Sequence, residues 1–595
     1  MARTTAALWV LLAALAAAAA ALVGPMPRSP YAVDPWEASV RLSVAAREAE
    51  ALLTPGPADG AGSAALAPNQ TQFYITMRDG VQLWTVISVP RGEGPFPTVL
   101  HRTPYGTGSW EGNADFFNKY GFAYVTQDQR GAQLSTGNGT VQWTFWRADG
   151  QDHFDTHAWI AAQPWSNGRV YLYGGSADGI TIYTASQFQP PQLNGIAAVV
   201  PSGELHATTY QGGAYRVALI SWWLTLNGFG YVEPDLFAHE AFDPWWDTIQ
   251  LRGKQDRCTF PGVHFGGWWD IFANETISAF HLYQDESTDP RCKGQHYLVL
   301  DAHGHCGGGD YAFPPTARSG IATDLMVYIF RTQEGLPVSP VLQTRVANTK
   351  PITFYVMGPN NTQYGDFWTT LSSWPAYTPR PYYLQADGAL TPAPPTSSAT
   401  PPRTYAYDPA APVRTVGGPE LLLRCGPRDQ AAALGRDDVL QFTSAAFTEP
   451  TPIVGPIKAL LYVSTDRNDT DFTVKLMDRY PDGRFFLVAD GIVRLRWRDG
   501  PLEAHPAVPG QVYNITVDLW PTAYVIEPGH AISVAVSSSN FPRFSVNRNS
   551  GWPMAAEEDG PVYVAENSVY VDATRPSQII LPVVTFDDIP DNFRP

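Results

Sequence analysis

The spacing of hydrophobic positions divides the chain near residue 350 into two parts. In the first part, short apolar runs such as 98–100 and 123–126 alternate with longer segments of helical character, including 149–162. Strands that alternate with helices usually pair in parallel and are covered on both faces. The first part therefore predicts a mainly parallel sheet between layers of helix.

In the second part, the apolar positions fall in short alternating runs, for example 460–464, 513–519 and 531–537, with Gly, Pro and Asn between them. A period of two is typical of strands with one buried face, and many such strands joined by turns predict an all-β sandwich. We interpret the Pro-rich run 391–402 as a long loop within this sandwich.

One segment, 203–261, breaks the alternation of strands and helices in the first part. It is rich in aromatic side chains, which we expect to pack short helices together. The predicted domains are therefore 69–202 together with 262–348, an insert over 203–261, and a sandwich over 349–595.

The amino-terminal segment is predicted to direct secretion. One early cation, Arg3, precedes an Ala-rich apolar run over 6–23, which is the outline of a signal peptide covering 1–24. Residues 25–68, rich in Ala, Pro and Gly, are predicted to form a lead-in without a core. Since about 18 apolar residues can span a bilayer, an uncleaved signal anchor is the alternative. No second candidate span is present in the sequence, so we expect no other membrane contact.

The secretory pathway would expose the chain to oxidation and to glycosylation. Four cysteines allow two disulfides with three possible pairings, and because their spacing matches no zinc site we expect them to be structural. Six Asn-x-Thr sequons are candidate glycosylation sites. The cysteines are Cys258, Cys292, Cys306 and Cys425, and the sequons begin at Asn69, Asn138, Asn274, Asn360, Asn468 and Asn514.

Length and charge limit the class of function. The chain has 595 residues, 44% of them hydrophobic, so it can bury more than one core. A formal net charge of -17 would repel phosphate backbones, so we expect no nucleic-acid partner. The sequence leaves the oligomeric state open.

The run Tyr171-Leu-Tyr-Gly-Gly-Ser-Ala-Asp-Gly179 has the clearest chemical meaning. It predicts a strand that turns sharply at Ser176 and continues as a helix. Such an elbow projects the serine hydroxyl from the edge of a sheet, and nearby glycines make room for it. Asp178 stands where the usual G-x-S-x-G pattern has its second glycine. Ser176 is the predicted nucleophile.

An acid and a histidine follow this serine in the chain. Asp270 comes directly after Phe265-Gly-Gly-Trp-Trp, and His305 follows the apolar strand 297–300. The order serine, acid, histidine is that of α/β hydrolases. Because a serine hydroxyl needs a base that a carboxylate holds in one tautomer, His305 is the predicted base and Asp270 the orienting acid. His303 is the rival base.

These motifs belong to a longer series that resembles the cocaine-esterase and Xaa-Pro dipeptidyl-peptidase superfamily of serine hydrolases. The resemblance covers nearly the whole chain beyond residue 70. It implies an α/β-hydrolase domain, a helical cap formed by the insert, and a C-terminal jelly roll. Asp270 and His305 match the family's acid and histidine, whereas His303 falls where relatives have tryptophan. The matching segments are Thr103 to Gly106, Gln127 to Gly131, Trp159 to Gly168, Phe265 to Asp270, Met357-Gly358, Asp471 to Gly483 and Ser537 to Phe544.

The resemblance also implies the remaining site residues. A tetrahedral oxyanion needs two donors, and these are expected to be the backbone N–H of Ala177 and the phenol of Tyr105. No cofactor or metal is required by this chemistry. Four tryptophans are expected to line the substrate pocket, namely Trp222, Trp223, Trp268 and Trp269.

Two structural expectations accompany this assignment. Asp128 and Arg130 are expected to form a buried ion pair beneath the site. A disulfide among the first three cysteines would tie together the loops that carry Asp270 and His305. Both expectations concern rigidity of the site and not its chemistry.

The sequence leaves the substrate open between a small ester and a short peptide. Relatives that bind a free α-amino group need carboxylates beside the pocket, but Asp270 is followed by Ile271 and Phe272, with Glu275 the first acid. We therefore predict a carboxylic-ester hydrolase, with an Xaa-Pro dipeptidyl-peptidase as the alternative. A catalytically silent secreted binding protein is the remaining alternative. Other acids that could supply an amine site are Asp178, Glu204, Glu233 and Asp235.

Overall fold

The computed structural model describes residues 69–305 and 309–594. The predicted signal peptide and lead-in lie outside the described residues. Across the described ranges, no helix is both long enough and apolar enough to cross a membrane. These ranges form an α/β domain, a cap inserted into it, and a β-sandwich.

The α/β domain contains a ten-stranded sheet, in the order β1-β2-β4-β3-β5-β6-β9-β10-β11-β12, and the cap contains the hairpin β7–β8. The central seven strands, from β4 to β11 in this order, are parallel. The outer pairs β1–β2, β2–β4 and β11–β12 are antiparallel. The strands are β1 Asn69–Thr76, β2 Gln82–Val89, β3 Phe96–Thr103, β4 Ala123–Asp128, β5 Ser166–Gly175, β6 Leu193–Val199, β7 Tyr210–Gln211, β8 Ala214–Tyr215, β9 Gly262–Gly267, β10 His296–Asp301, β11 Ile352–Val356 and β12 Phe367–Leu371.

Strand β5 lies in the middle of the parallel region and leads to the predicted nucleophile. All of its residues from Val170 to Gly175 are buried. A strand covered on both faces has no solvent side, which explains why this run is continuously apolar instead of alternating. The strand delivers Ser176 to the carboxyl edge of the sheet.

Helices cover both faces of the sheet and build the cap. The predicted helix over 149–162 is confirmed as α2, Asp149–Ala161. Helix α3 begins directly after Ser176, and all of its residues except Phe188 are buried, because it packs against other elements on every side. The α-helices are α1 Glu111–Lys119, α2 Asp149–Ala161, α3 Ala177–Phe188, α4 Leu205–Thr209, α5 Ile220–Leu226, α6 Glu233–Ala238, α7 Ala273–His281, α8 Ile321–Gln333 and α9 Pro340–Ala347.

The cap, residues 203–261, is fixed to the sandwich through the buried carboxylate of Glu240. This carboxylate accepts hydrogen bonds from Trp497 Nε1 and from the backbone N–H of Met554, each at 2.9 Å, and it pairs with Arg496. Burial alone would raise the pKa of Glu240, but Arg496 and the two N–H donors hold that pKa below its usual value. The cap, which is inserted into the α/β domain, is therefore also attached to the sandwich.

The sandwich is antiparallel. A seven-stranded sheet, β14-β13-β25-β17-β22-β15 with β20 paired to β17, accompanies a four-stranded sheet, β16-β21-β18-β19, and a short ribbon, β23–β24. Its strands are β13 Thr378–Leu384, β14 Leu390–Thr391, β15 Arg403–Tyr407, β16 Leu440–Thr443, β17 Thr451–Thr465, β18 Asp471–Arg479, β19 Phe485–Arg494, β20 Tyr513–Ile526, β21 Ala531–Ser537, β22 Ala565–Val569, β23 Val571–Asp572, β24 Arg575–Pro576 and β25 Gln578–Val583.

The first strands after the predicted start of the sandwich at residue 349 pair with the sheet of the α/β domain. Strands β11 and β12 complete the sheet of the α/β domain, where β11 pairs in parallel with β10 and β12 pairs antiparallel with β11. An antiparallel pair at the edge of a parallel sheet has the same short apolar runs as a sandwich hairpin, so the pattern alone does not separate them. The first strand of the sandwich is β13, which begins at Thr378.

A disulfide joins Cys258 to Cys292, with 5.7 Å between their Cα atoms. These cysteines precede β9 and β10, whereas Asp270 and His305 follow the same two strands. The disulfide therefore ties the two strands together at the end opposite to the site, and the expectation that it joins the loops of Asp270 and His305 is wrong. Cys306 lies outside the described residues, so a second disulfide stays a prediction.

Four buried histidines make stability depend on pH. His153 and His157 lie in α2, and His264 and His296 lie in adjacent strands with 3.0 Å between their ring nitrogens. Burial lowers the pKa of His157 to about 4 and that of His296 to about 3, and it also lowers the pKa of the other two. The unfolded chain binds these protons near pH 6.5, so the stability present above that pH is lost as the pH falls toward 4.

We predict that the free energy of unfolding, measured with urea, falls between pH 7 and pH 5. His157 alone should contribute about 2 kcal/mol of this loss. The variant His157→Gln should reduce the dependence on pH. Equal pH dependence in the parent and in His157→Gln would contradict this assignment.

Candidate active site

Ser176 occupies a strained turn between β5 and α3. Its φ of 55° and ψ of -124° lie outside the regions that residues other than glycine favour. The backbone N–H of Ser176 donates to Val199 O at 2.8 Å, and its carbonyl accepts from Ile180 N at 3.0 Å. These two bonds hold the turn and project the hydroxyl beyond the sheet.

Close packing around the turn requires glycine at two positions. A Cβ atom on Gly174 would lie 2.7 Å from the carbonyl oxygen of Asp178, and one on Gly179 would lie 2.8 Å from Pro201. Asp178, which replaces the second glycine of the usual pattern, directs its carboxylate to His101 Nε2 at 2.8 Å in a buried pair. The elbow therefore forms although its second glycine comes one position late.

The structure brings Ser176, His305 and Asp270 into one hydrogen-bonded row. His305 Nε2 lies 2.8 Å from Ser176 Oγ, and His305 Nδ1 is hydrogen-bonded to Asp270 Oδ2. The second carboxylate oxygen of Asp270 accepts from the backbone N–H of Phe272 at 2.8 Å, which fixes the orientation of the carboxylate. In this geometry the imidazole can take the proton of the serine hydroxyl while the carboxylate holds its other nitrogen.

His303 does not belong to this row. Its Nδ1 lies 3.5 Å from Asp301 Oδ2, and its ring packs edge-on against Phe313 with 5.7 Å between ring centres. The backbone N–H of His303 also donates to Asp301, at 2.8 Å. His305, and not His303, is therefore the imidazole next to Ser176.

Arg216 holds the loop that carries Asp270. Its guanidinium Nη1 donates to the carbonyl of Ile271 at 3.0 Å, and its Cζ lies 5.5 Å from the centre of the Trp520 ring in the sandwich. Burial lowers the pKa of Arg216 to about 10, so the group keeps its charge at neutral pH. Burial also raises the pKa of Glu275, the first acid after Asp270, to about 7, although the positive charge of Arg216 opposes this.

A small apolar cavity of about 30 Å³ opens beside Ser176. Its walls come from a turn before α2, from the cap, from the loop after Asp270 and from the sandwich. Within the described part of the chain, none of the lining residues carries a charge. Wall residues from these four segments include Phe145, Trp146, Ile220, Trp223, Phe272 and Leu421.

Both expected oxyanion donors lie close to this cavity. Ala177, which lines it, is the first residue of α3, where backbone N–H groups have no partner within the helix. The phenol oxygen of Tyr105 accepts a hydrogen bond from Trp223 Nε1, a group of the cavity wall, at 2.9 Å. Burial raises the pKa of Tyr105, so the phenol keeps its proton at neutral pH.

Of the four predicted pocket tryptophans, Trp223 lines the cavity and the expectation is wrong for the other three. Trp222 packs against the surrounding apolar cluster without facing the cavity. Trp268 donates its indole N–H to Tyr355 O at 2.7 Å, and Trp269 lies in the core of the α/β domain. The backbone N–H of Trp268 donates to Asp301 O at the end of β10, and that of Trp269 donates to His303 O just beyond it. Both side chains lie in the core of the α/β domain.

Most wall residues are absent from the sequence-based prediction, among them Phe145, Trp146 and Leu421. Phe145 and Trp146 have φ values of 53° and 59°, a pair of strained aromatic residues in the run Trp143-Thr-Phe-Trp146. Leu421 begins a short apolar run that lies between glycines in the second part of the chain. In the sequence, these residues are marked only by the clustering of aromatic or apolar residues within a turn. Such clustering does not indicate which surface the side chains face.

The expected ion pair between Asp128 and Arg130 is wrong. Asp128 accepts hydrogen bonds from the backbone N–H groups of Thr107, at 2.8 Å, and Leu134, at 3.1 Å. Arg130 instead pairs with Asp152 and Asp79, each at 2.6 Å. Asp128 is therefore occupied by loop backbone, which leaves the guanidinium to other carboxylates.

The four acids considered for an amine site are directed elsewhere. Asp178 is paired with His101, and Glu204 accepts a hydrogen bond from Arg252 Nε at 2.8 Å. Glu233 accepts from Tyr215 at 3.1 Å. Neither these three nor Asp235 lines the cavity beside Ser176.

The chain is similar to known proteins over most of its length. The family model of the X-Pro dipeptidyl-peptidase (S15 family) matches residues 79–235. The family model of the X-Pro dipeptidyl-peptidase C-terminal non-catalytic domain matches residues 344–580. The cocaine esterase of Rhodococcus sp. (strain MB1 Bresler) is 29% identical over 589 residues, which cover 86% of this chain and 98% of that protein.

Solved structures share the same architecture. An α-amino acid ester hydrolase superposes with a TM-score of 0.72 at 25% identity, over 89% of this chain and 100% of that one. An aminopeptidase from the marine sediment archaeon Thaumarchaeota archaeon has the same fold, with a TM-score of 0.72 at 20% identity over 89% of this chain and 99% of that one. The fold and these matches define a serine hydrolase of the α/β type. Over most of its length the chain is similar to cocaine esterase and to the X-Pro dipeptidyl-peptidase family.

We predict that His305→Ala lowers kcat for ester hydrolysis at least about a thousandfold, because the imidazole next to Ser176 is removed. His303→Ala should keep kcat within about tenfold of the parent. Steady-state kinetics with circular dichroism as a check on folding measures both effects. An inactive His303→Ala beside an active His305→Ala would reverse the assignment.

Proposed function

We propose that this protein is a secreted serine esterase that cleaves carboxylic esters with apolar acyl groups through an acyl-enzyme formed on Ser176. The observation that carries the proposal is the row of Ser176, His305 and Asp270 opening into an uncharged apolar cavity. Such a cavity favours an apolar acyl group, because burial of each CH₂ contributes about 0.8 kcal/mol to the free energy of binding.

In the first half of the reaction, Ser176 Oγ attacks the ester carbonyl carbon and its proton passes to His305 Nε2. Asp270 accepts the hydrogen bond from Nδ1–H and stabilises the imidazolium. The carbonyl oxygen becomes an oxyanion, which the N–H of Ala177 and the O–H of Tyr105 would stabilise. The bond to the leaving alcohol then breaks, and His305 returns the proton to that alcohol.

In the second half, water replaces the alcohol. The imidazole of His305 takes a proton from water as the water oxygen attacks the acyl carbon. The bond from the acyl carbon to Ser176 Oγ breaks, and the serine recovers a proton from His305. The products are the carboxylic acid and the free enzyme, so no cofactor takes part in either half.

An Xaa-Pro dipeptidyl-peptidase is the second candidate, and the two family matches favour it. This activity requires a carboxylate that binds the substrate's free α-amino group. The uncharged cavity walls and the engagement of Asp178, Glu204 and Glu233 with other groups argue for esters over such peptides. A silent binding protein would have no need for the hydrogen-bonded row.

Secretion is part of the proposal and rests on the amino-terminal sequence. The apolar run over 6–23, the six sequons and the disulfide between Cys258 and Cys292 are consistent with passage through an oxidising compartment. Among the sequons, Asn138, Asn468 and Asn514 begin at exposed positions, where a glycan has room.

The test uses the full chain, expressed in a eukaryotic secretory host and recovered from the medium. We expect p-nitrophenyl esters from acetate to hexanoate and benzoate to be hydrolysed with kcat/KM at least about a hundredfold above that for Gly-Pro and Ala-Pro p-nitroanilides. Leu421→Phe, which narrows the cavity, should lower kcat/KM for hexanoate about tenfold while acetate stays within about threefold. Leu502→Phe, on the exposed surface of the sandwich, is the matched control.

Three results would contradict parts of the proposal. A preference for the anilides over all esters would favour the dipeptidyl-peptidase. Hydrolysis that persists in Ser176→Ala would exclude the acyl-enzyme on this serine. Retention of the protein on cell membranes with residues 1–24 uncleaved would contradict secretion, independently of the catalytic result.

A further inference from the structure

Tyr105 and Trp223 form the hydrogen bond on which this inference depends. The indole Nε1–H of Trp223 donates to the phenol oxygen of Tyr105 at 2.9 Å, and the two rings meet edge to face at 82° with 6.2 Å between centres. An indole can only donate, whereas a phenol both donates and accepts. The direction of the bond is therefore fixed by chemistry, and the phenol still has its own proton to donate.

Among the residues that the structure describes, the hydroxyl of Tyr105 makes one hydrogen bond, which it accepts from Trp223 Nε1. The proton of this hydroxyl therefore has no acceptor in that part of the chain. Burial raises the pKa of Tyr105, and the charge of Asp178 raises it further, so the proton stays on the phenol. In its partly buried position, a phenol O–H without an acceptor in the protein is available to donate to a ligand. The cavity beside Ser176 is where such an acceptor would arrive.

Trp223 is itself held in place by a stack of aromatic rings. Its indole stacks on that of Trp146 at 5.6 Å with an angle of 22°, and Trp146 Nε1 donates to Ala177 O at 3.1 Å. Trp223 also contacts Trp143 and Phe229. The stack therefore connects the residue that follows the nucleophile to the indole that bonds Tyr105.

We propose that Trp223 is a positioning residue for the oxyanion hole, which orients the hydroxyl of Tyr105 by occupying the acceptor side of its oxygen. This inference rests on the proposed function, in which Tyr105 donates to the oxyanion. A phenol whose oxygen already accepts a bond is a stronger donor, because hydrogen bonds in a chain polarise one another. Trp223 thus acts through Tyr105, in addition to forming part of the cavity wall.

A role as wall and a role as positioning residue make different predictions for small acyl groups. A wall residue affects esters whose acyl group reaches it, such as hexanoate or benzoate. A positioning residue affects every ester, including acetate, because each one forms an oxyanion. The replacement Trp223→Phe keeps an aromatic wall and removes the N–H donor.

The test is a double-mutant cycle on p-nitrophenyl acetate with Trp223→Phe, Tyr105→Phe and the double variant. We expect Tyr105→Phe to lower kcat by about 10²–10³ and Trp223→Phe by about 10–100, each with KM within about threefold of the parent. The kcat of the double variant should lie within about threefold of that of Tyr105→Phe. The indole acts through the Tyr105 hydroxyl, which Tyr105→Phe has already removed. Trp222→Phe, on the same helix but outside the cavity, is the matched control.

Three outcomes separate this inference from the proposed function. Trp223→Phe within about threefold of the parent in kcat, or losses that multiply in the double variant, would overturn the positioning role while leaving the esterase intact. Tyr105→Phe with nearly normal kcat would remove Tyr105 from the oxyanion hole and the role of Trp223 with it. A parent protein without hydrolysis dependent on Ser176 would overturn both. Melting curves of each variant show whether a loss of kcat reflects unfolding.

Discussion

The site depends on one backbone constraint, the positive φ of Ser176. A non-glycine residue in this conformation costs about 1–3 kcal/mol, which the surrounding structure must offset. Strand β5, buried on both faces, and helix α3, buried on nearly all sides, supply that support. Because both elements are anchored in the core, the turn between them cannot relax, and the hydroxyl stays within reach of His305.

The substrate cavity combines parts of the chain that are far apart in sequence. Trp146 precedes the nucleophile, Trp223 belongs to the cap, Phe272 follows Asp270, and Leu421 comes from the sandwich. Buried polar contacts hold these parts together, with Glu240 joining the cap to the sandwich and Arg216 joining the acid loop to both. The sandwich therefore contributes to the shape of the site even though the reacting groups lie in the α/β domain.

The positions of Ser176, Asp270 and His305 could be predicted because each is the end point of a strand, and strand ends at one sheet edge meet in space. The cavity wall could not be predicted to the same extent. Trp268 and Trp269 lie next to Asp270 in sequence, but the path of the backbone after β9 turns them into the core. Leu421 reaches the site through a long-range contact that no local pattern encodes.

The domain boundary shows the same limit. The runs that form β11 and β12 alternate like sandwich strands, and their place at the edge of the parallel sheet is decided by pairing with β10. The cap could be located by the break in the alternation of strands and helices. The attachment of the cap to the sandwich through Glu240 could not be predicted. This attachment depends on Arg496, Trp497 and Met554, which lie in the sandwich.

The most direct measurement is the rate at which a fluorophosphonate probe labels the intact protein, followed by mass spectrometry of the labelled peptide. An activated serine in this geometry should be labelled at Ser176, at a rate that falls at least about a thousandfold in Asp270→Ala because the imidazole loses its orienting partner. Labelling of a different serine, or an unchanged rate in Asp270→Ala, would contradict the assignment of the row of Ser176, His305 and Asp270 as the catalytic machinery.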